Sequence, residues 1–357
     1  MSKTVYLVIT DLHISYKNKD NRYNYLQEVE YCVNKIIRTA KQYTDKGCTV
    51  KLVFLGDIVD DSYKDMVRAI WLNNIFVFLR KKYEIYVTLG NHEFSFYKDN
   101  PFWSLLCEIK SEKIKSVITH TWQPTGLFQL VEVVDTIEDG NVVLNFNHYP
   151  TRNNIPKPNK INIGFFHKDY APKAVVDDMK MNFKLDVWDG HIHNFENTTL
   201  LDGYDYAFFG HLHKVYGTWT FVNDKTNFKT VLYYLASLGR PNHTEVQDNF
   251  LERNIPAIVI EDGKFSHIED NKFNLIDRRN AVKEDIVKNQ QEIYQAKKES
   301  KAMVDYKPLS DNPITNIQGV LAGNPALLAR FNSYLENDTI VYEHQLRKRV
   351  SDLTSRL

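Results

Sequence analysis

The sequence predicts an α/β fold in which two sheets pack as a sandwich, followed by a small β segment and a helical C-terminal tail. Three observations lead there. The first half alternates apolar strand-like runs with amphipathic helix patterns. From about residue 115 short strand candidates follow one another with few helices between them. After about residue 276 the chain becomes polar and helix-favouring.

Val5 to Ile9 is a continuous apolar run of the kind shown by a strand buried on both faces. From Tyr25 to Lys46, Leu26, Val29, Val33, Ile36, Ile37 and Ala40 recur at three- and four-residue steps, and Gly47 supplies a stop, so this is a helix lying on a sheet. Leu52–Leu55 is a second buried strand. Met66, Val67, Ile70, Trp71, Phe78 and Leu79 mark a second helix, and Ile85–Leu89 a third strand. Strand and helix in alternation imply right-handed crossovers and a parallel layer.

Beyond it come strand candidates at Val117–Thr119, Leu127–Val134, Val142–Phe146, Ile161–Phe166, Tyr206–Phe209 and Val231–Leu235, expected to form a more antiparallel second sheet. Pro256–Ile260 followed by Asp262-Gly263 reads as a hairpin. Residues 281–303 carry a thin apolar stripe (Val282, Ile286, Ile293), and Asn324-Pro325 reads as a helix start. Leu346, Val350, Leu353 and Leu357 recur at helical spacing beside Arg347-Lys348-Arg349.

Apolar residues make up 43% of the 357 residues, enough for a sizeable core, which excludes wholesale disorder. Lys+Arg and Asp+Glu both number 45, so any nucleic-acid contact must rest on a local patch or a partner. Cys32, Cys48 and Cys107 show no CxxC spacing, pointing to a reducing compartment. The N-terminus lacks signal-peptide features and no apolar run approaches the ~18 residues of a membrane span, so a cytoplasmic protein without membrane contact is expected. Abundant Asn, Lys, Tyr and Phe suggest an AT-rich genome such as a bacteriophage's, which would make that the host cytoplasm.

Four apolar strands each end in metal-ligand residues. They deliver Asp11-Leu12-His13, Gly56-Asp57, Gly90-Asn91-His92-Glu93 and Gly210-His211-Leu212-His213. Open α/β sheets place their sites at the carboxyl ends of strands. Mixed carboxylate and imidazole donors suit Mn, Fe or Zn, whereas an all-oxygen set would favour Mg or Ca. One aspartate shared by two ions can hold them roughly 3.5–4 Å apart, as two-metal phosphoryl chemistry requires.

Two choices among histidines remain. The run Asn162-Ile163-Gly164-Phe165-Phe166 is more apolar than the approach to His148, which favours His167 as the fifth ligand segment and leaves His148 at the surface or behind the site. His211 and His213 follow Tyr206-Ala207-Phe208-Phe209, whereas His191 and His193 follow a polar stretch that reads as a loop. His120, His243, His267 and His344 have no partner pattern and read as ordinary surface or core residues.

This ordered set resembles the calcineurin-like metallophosphoesterases over about residues 4–240. Within them it is most similar to the SbcD or Mre-type nuclease subunits of double-strand-break repair, through Asn162–His167, Tyr204–His213 and the phrase Leu235-Ala236-Ser237-Leu238-Gly239-Arg240. Protein serine/threonine phosphatases are less similar, since their pattern has arginines where this chain has Asp61 and Leu89.

The resemblance implies a calcineurin-like sandwich with a metallophosphoesterase domain over 1–245, a reduced β cap over 246–276 and a helical tail over 277–357. It implies two divalent ions, Mn²⁺ first, with Mg²⁺, Fe²⁺ or Zn²⁺ as other candidates. Asp11, His13, Asp57 and His213 would hold one ion. Asp57 would bridge to a second, held with Asn91, His167 and His211. His92 would be the catalytic imidazole, protonating the leaving oxygen, with Glu93 either orienting it or serving the structure. The implied activity is DNA phosphodiester hydrolysis, as an exo- or endonuclease, in repair, recombination or DNA processing. The tail would either dock an SMC-like ATPase of SbcC type or pack as a helix on its own domain, and pairing of two copies as a homodimer, which family members often show, stays open. A small-nucleotide phosphodiesterase or a phosphatase is the alternative.

Overall fold

The first apolar run lies in β1 (Lys3–Ile9), and the alternation of a strand explains why Val5 to Ile9 are all apolar. Val5, Leu7 and Ile9 face α1 (Tyr25–Thr44), meeting Val29, Val33, Ile36 and Ala40. Tyr6 and Val8 point the other way, into a core shared with a second sheet. The computed structural model describes residues 2–14, 25–58, 74–93, 107–117, 130–149, 151–173, 193–194, 199–213, 217–223, 226–240 and 251–277, with single positions at 176, 318, 322, 325, 328, 329 and 332.

The first sheet joins β1 to β2 (Thr49–Leu55), β3 (Glu84–Thr88), β4 (Cys107–Ile109), β5 (Val131–Val133), β15 (Ala257–Glu261) and β16 (Lys264–Glu269). Its seven strands run in the order β16-β15-β1-β2-β3-β5-β4. From β1 to the β4 edge every pairing is parallel. The second sheet is built from β6 (Thr136–Asp139), β7 (Val142–Asn147), β8 (Ile161–His167), β11 (Tyr206–Gly210), β12 (Gly217–Val222) and β13 (Lys229–Tyr234). Its order is β12-β13-β11-β8-β7-β6. Two short pairs complete the strands among the described residues: β9 (Tyr170–Ala171) with β10 (His193–Asn194), and β14 (Glu252–Asn254) with β17 (Lys272–Asn274).

The inner faces meet in one core. Tyr6, Val8, Val53 and Leu55 from the first sheet pack with Phe146, Ile163, Phe165 and Phe208 from the second. The outer face of the second sheet is covered in turn, with Phe166, Phe209 and Tyr234 packing on Leu200, Leu201 and Tyr204. Each such fully buried aliphatic or aromatic side chain contributes about 1.5–3 kcal/mol.

Three expectations change. The second sheet is parallel at its centre, through β7, β8, β11 and β13, and antiparallel only at the β6 and β12 edges. Its central strands are buried on both faces, which is the condition parallel strands need. Val117 ends a short helix, Glu112–Val117, rather than starting a strand. The segment expected as a small cap is divided, with β15 and β16 extending the first sheet and β14 and β17 pairing apart from it. Its hairpin is present, with Asp262 and Gly263 at φ 48° and 72°, but β15 pairs antiparallel with β1 because its apolar run Ala257–Ile260 covers the β1 edge.

Of the second expected helix, 74–80 is helical. Asp61, the helix positions before 74, the start of the Leu127–Val134 candidate up to Gln129, and the tail stripe from Leu346 to Leu357 lie outside the described residues.

The chain divides into two compact units, Met1–Asn289 and Gln290–Leu357. In the second, positions 318, 325, 328, 329 and 332 are helical, and Gln318 Nε2 donates to Asn332 Oδ1 at 2.8 Å. Among the described residues no helix is long and apolar enough to cross a membrane.

One buried ion pair ties α1 to the turn after β13. Arg240 is fully buried, and its Nη2 donates to Glu28 Oε2 at 2.5 Å and to Ile276 O at 2.8 Å. Its Nε and backbone N–H also donate to Glu28 Oε1. Removing one partner strands a buried charge, so Glu28→Ala should cost about 3–5 kcal/mol, read as a lower urea midpoint.

Candidate metal centre

The parallel strands of both sheets point their carboxyl ends at one place. Asp11 and His13 follow β1, Asp57 follows β2, Asn91 and His92 follow β3, His167 closes β8, and His211 and His213 follow β11. The tips are stitched together through the backbone: His13 N–H donates to Asp57 O at 2.9 Å, and Ile14 N–H to Ile58 O at 2.7 Å.

Four of these residues sit in left-handed backbone conformations: Asp11, His13, Asp57 and His211 have φ of 47°, 45°, 46° and 82°. Such positions cost about 1–3 kcal/mol each and persist where the surroundings over-determine them. Two glycines make the required room. Gly56 has φ 72°, and a Cβ there would fall 2.4 Å from His167 Nδ1. A Cβ on Gly210 would fall 2.0 Å from Thr10 Oγ1 and 2.7 Å from Asp11 Oδ2.

Among the described residues three groups of side chains bring donor atoms within 4.8 Å of one another: Asp11, His13 and His213; His13, Asp57 and His92; and Asp57, His167 and His211. Asp57 Oδ1 accepts the His92 N–H at 3.1 Å, which leaves Oδ2 facing the imidazoles. Oδ2 lies 3.0 Å from His167 Nε2, 3.8 Å from His13 Nε2 and 4.0 Å from His211 Nδ1. His13 Nε2 and His213 Nε2 approach to 2.7 Å. Asn91 Oδ1 is buried without a hydrogen-bond partner, an acceptor suited to a cation. The donor set therefore fits divalent cations, which Asp11, His13 and His213 would hold on one side and Asp57, His167 and His211, with Asn91, on the other.

Charge is concentrated here. Burial alone would raise Asp11, but His167, His13 and His213 hold its carboxyl well below the ordinary range. Burial would raise Asp57 as well, and His167 and His13 overcome it in the same way. Burial disfavours a charged His167, yet Asp57 and Asp11 raise its pKa to about 9. His92 is the most exposed of the site imidazoles at 27%, against 2% for His13 and 0% for His167.

Residues behind the site were less visible in the sequence. Asp169 Oδ1 lies 2.5 Å from His211 Nε2, which directs Nδ1 toward Asp57; its only sequence signal is its place two residues after His167. Glu93 takes the structural of its two expected roles. Its carboxylate accepts the N–H groups of Asp57, Ile58 and Gly90 at 2.9, 2.8 and 2.8 Å, clamping the β2 and β3 tips. Burial, then the Asp57 charge, raises it to about 7. Ser237 Oγ lies 2.9 Å from Asp11 O, and Leu238 N–H donates to Thr10 O, so the phrase Leu235–Arg240 braces the β1 tip.

Of the two places expected for His148, the surface is excluded, because the residue is fully buried. Its Nδ1 accepts the Leu89 N–H at 3.1 Å and its Nε2 faces Val134 O at 2.9 Å, so it is a neutral strut under the β3 tip. His193 lies in β10, where a polar loop was expected. His267 is exposed on β16, and His120, His191, His243 and His344 lie outside the described residues.

The sequence pattern of the calcineurin-like phosphoesterases matches residues 4–215, and the chain belongs to that family. It is thus a metallophosphoesterase by fold and family. Among curated proteins none matches in sequence. A similar solved structure is the 5'-nucleotidase precursor from Thermus thermophilus, at 11% identity and a TM-score of 0.38. The alignment covers 82% of this chain and 59% of that one, so the chain spans less than two thirds of its length.

Asp169→Ala should weaken Mn²⁺ binding about 10–100-fold in calorimetric titration while the fold is retained. Burial lowers the His148 pKa from 6.5 to about 4. The unfolded chain then takes up a proton before the folded one, so stability present above pH 6.5 declines as pH falls toward 4. The loss attributable to His148 is about 3 kcal/mol and should be missing from the pH profile of His148→Phe.

Proposed function

We propose that this chain is a DNA nuclease subunit of SbcD type, hydrolysing phosphodiesters in repair, recombination or DNA processing. The observation that carries the choice of a diester is Leu89. It is buried and apolar at the position before Gly90-Asn91-His92-Glu93, where the pattern of the protein serine/threonine phosphatases has an arginine that clamps a phosphomonoester.

Two divalent ions, Mn²⁺ by preference, would neutralise the phosphoryl oxygens and supply the nucleophile. Asp57 Oδ2 faces both ligand groups and is suited to the shared position. His92, partly exposed and with its backbone N–H on Asp57, would give a proton to the leaving oxygen. An SMC-like ATPase docking on the tail beyond residue 277, and pairing of two copies, complete the reading.

The test is Mn²⁺-dependent degradation of linear duplex, single-stranded and circular DNA beside a phosphomonoester control. Wild type should degrade DNA and Asp57→Ala should not. Intact DNA with rapid turnover of a monoester or small diester would replace this reading with a phosphatase or nucleotide phosphodiesterase. His92→Asn should retain metal and lose about 10²–10⁴-fold in rate. Full activity in that variant would remove His92 from the chemistry.

A further inference from the structure

Thr10 follows the last residue of β1 and continues the face of Tyr6 and Val8, which turns toward the second sheet. It is buried, and Gly210 at the end of β11 makes room for it, since a Cβ on that glycine would fall 2.0 Å from Thr10 Oγ1. The hydroxyl reaches the carboxylate of the next residue: Thr10 Oγ1 donates to Asp11 Oδ2 at 2.5 Å. Its other neighbour, Leu55 O at 3.0 Å, already accepts from His167 Nδ1 at 2.8 Å. A hydroxyl has a single proton, and the charged acceptor at the shorter distance takes it, in a bond roughly twice as strong as a neutral one.

The two oxygens of Asp11 thereby have different tasks. Oδ1 is the one turned toward the imidazoles, 3.5 Å from His213 Nε2, 3.6 Å from His13 Nε2 and 3.9 Å from His167 Nε2. Among the described residues Oδ2 accepts from Thr10 Oγ1 and from the His211 N–H at 3.0 Å. That N–H also lies 3.2 Å from Oδ1, so it spans the carboxylate without choosing between its oxygens. Thr10 makes the choice.

We propose that Thr10 is a positioning residue for one of the two cations. Its hydroxyl holds Asp11 so that Oδ1 is presented to the ion that Asp11, His13 and His213 would bind. The proposal rests on the donor set of the metallophosphoesterase centre and not on the nuclease reading. Without the hydroxyl, Oδ2 keeps only the shared His211 N–H, and the carboxylate is free to turn. The group formed by Asp57, His167 and His211 does not include that carboxylate, so its ion should be spared.

The experiment titrates Mn²⁺ calorimetrically into the metal-free full-length chain as wild type, Thr10→Val, Thr10→Ala and Thr10→Ser. His213→Ala and His211→Ala mark which binding step belongs to each ion. Thr10→Val, nearly the same shape, should weaken the step marked by His213→Ala about 10–100-fold and leave the other unchanged, and Thr10→Ser should keep the wild-type affinity. Thr10→Ala sets no methyl against the carboxylate and reads the same loss should Thr10→Val fail to fold. Unchanged Mn²⁺ affinity in the folded variant, equal weakening of both steps, or a Thr10→Ser as weak as Thr10→Ala would overturn the assignment. A selective, serine-rescued Mn²⁺ loss in a protein that leaves every DNA intact would uphold it while the nuclease reading fails.

Discussion

Two carboxylates, Asp11 and Asp57, are buried in one pocket, and the rest of the centre answers to that constraint. Like charges at this depth require positive or hydrogen-bonding neighbours. Imidazoles from four strand tips supply them, and the same atoms form a donor set suited to cations. The strained backbone at Asp11, His13, Asp57 and His211 makes sense in this light, because side chains from two sheets reach a common point only if the tips turn sharply.

Keeping those tips in place takes a second layer of interactions. Glu93 binds three backbone N–H groups across the β2 and β3 tips, His148 props β3 from beneath, and the Ser237–Arg240 turn braces β1. Arg240 in turn is fixed by Glu28 on α1. A chain of buried polar contacts thus links the helix layer to the site, with the sandwich core holding the two sheets at the spacing the ligands need.

The sequence by itself determined which strand tips carry acids and imidazoles, since each apolar strand ends in residues whose chemistry stands out: Asp11 and His13, Asp57, Asn91 and His92, and His211 and His213. It also indicated α1 and the central strands, because burial on both faces leaves an uninterrupted apolar run. Only the tertiary structure decided what depends on contacts distant in sequence. That β15 joins β1 is a matter of which edge its apolar face covers. The parallel centre of the second sheet depends on chain direction, which apolar content does not encode. Asp169, the clamp by Glu93 and the buried role of His148 were decided there too, because an isolated acid or histidine acquires its role from the partner the fold brings within hydrogen-bonding distance.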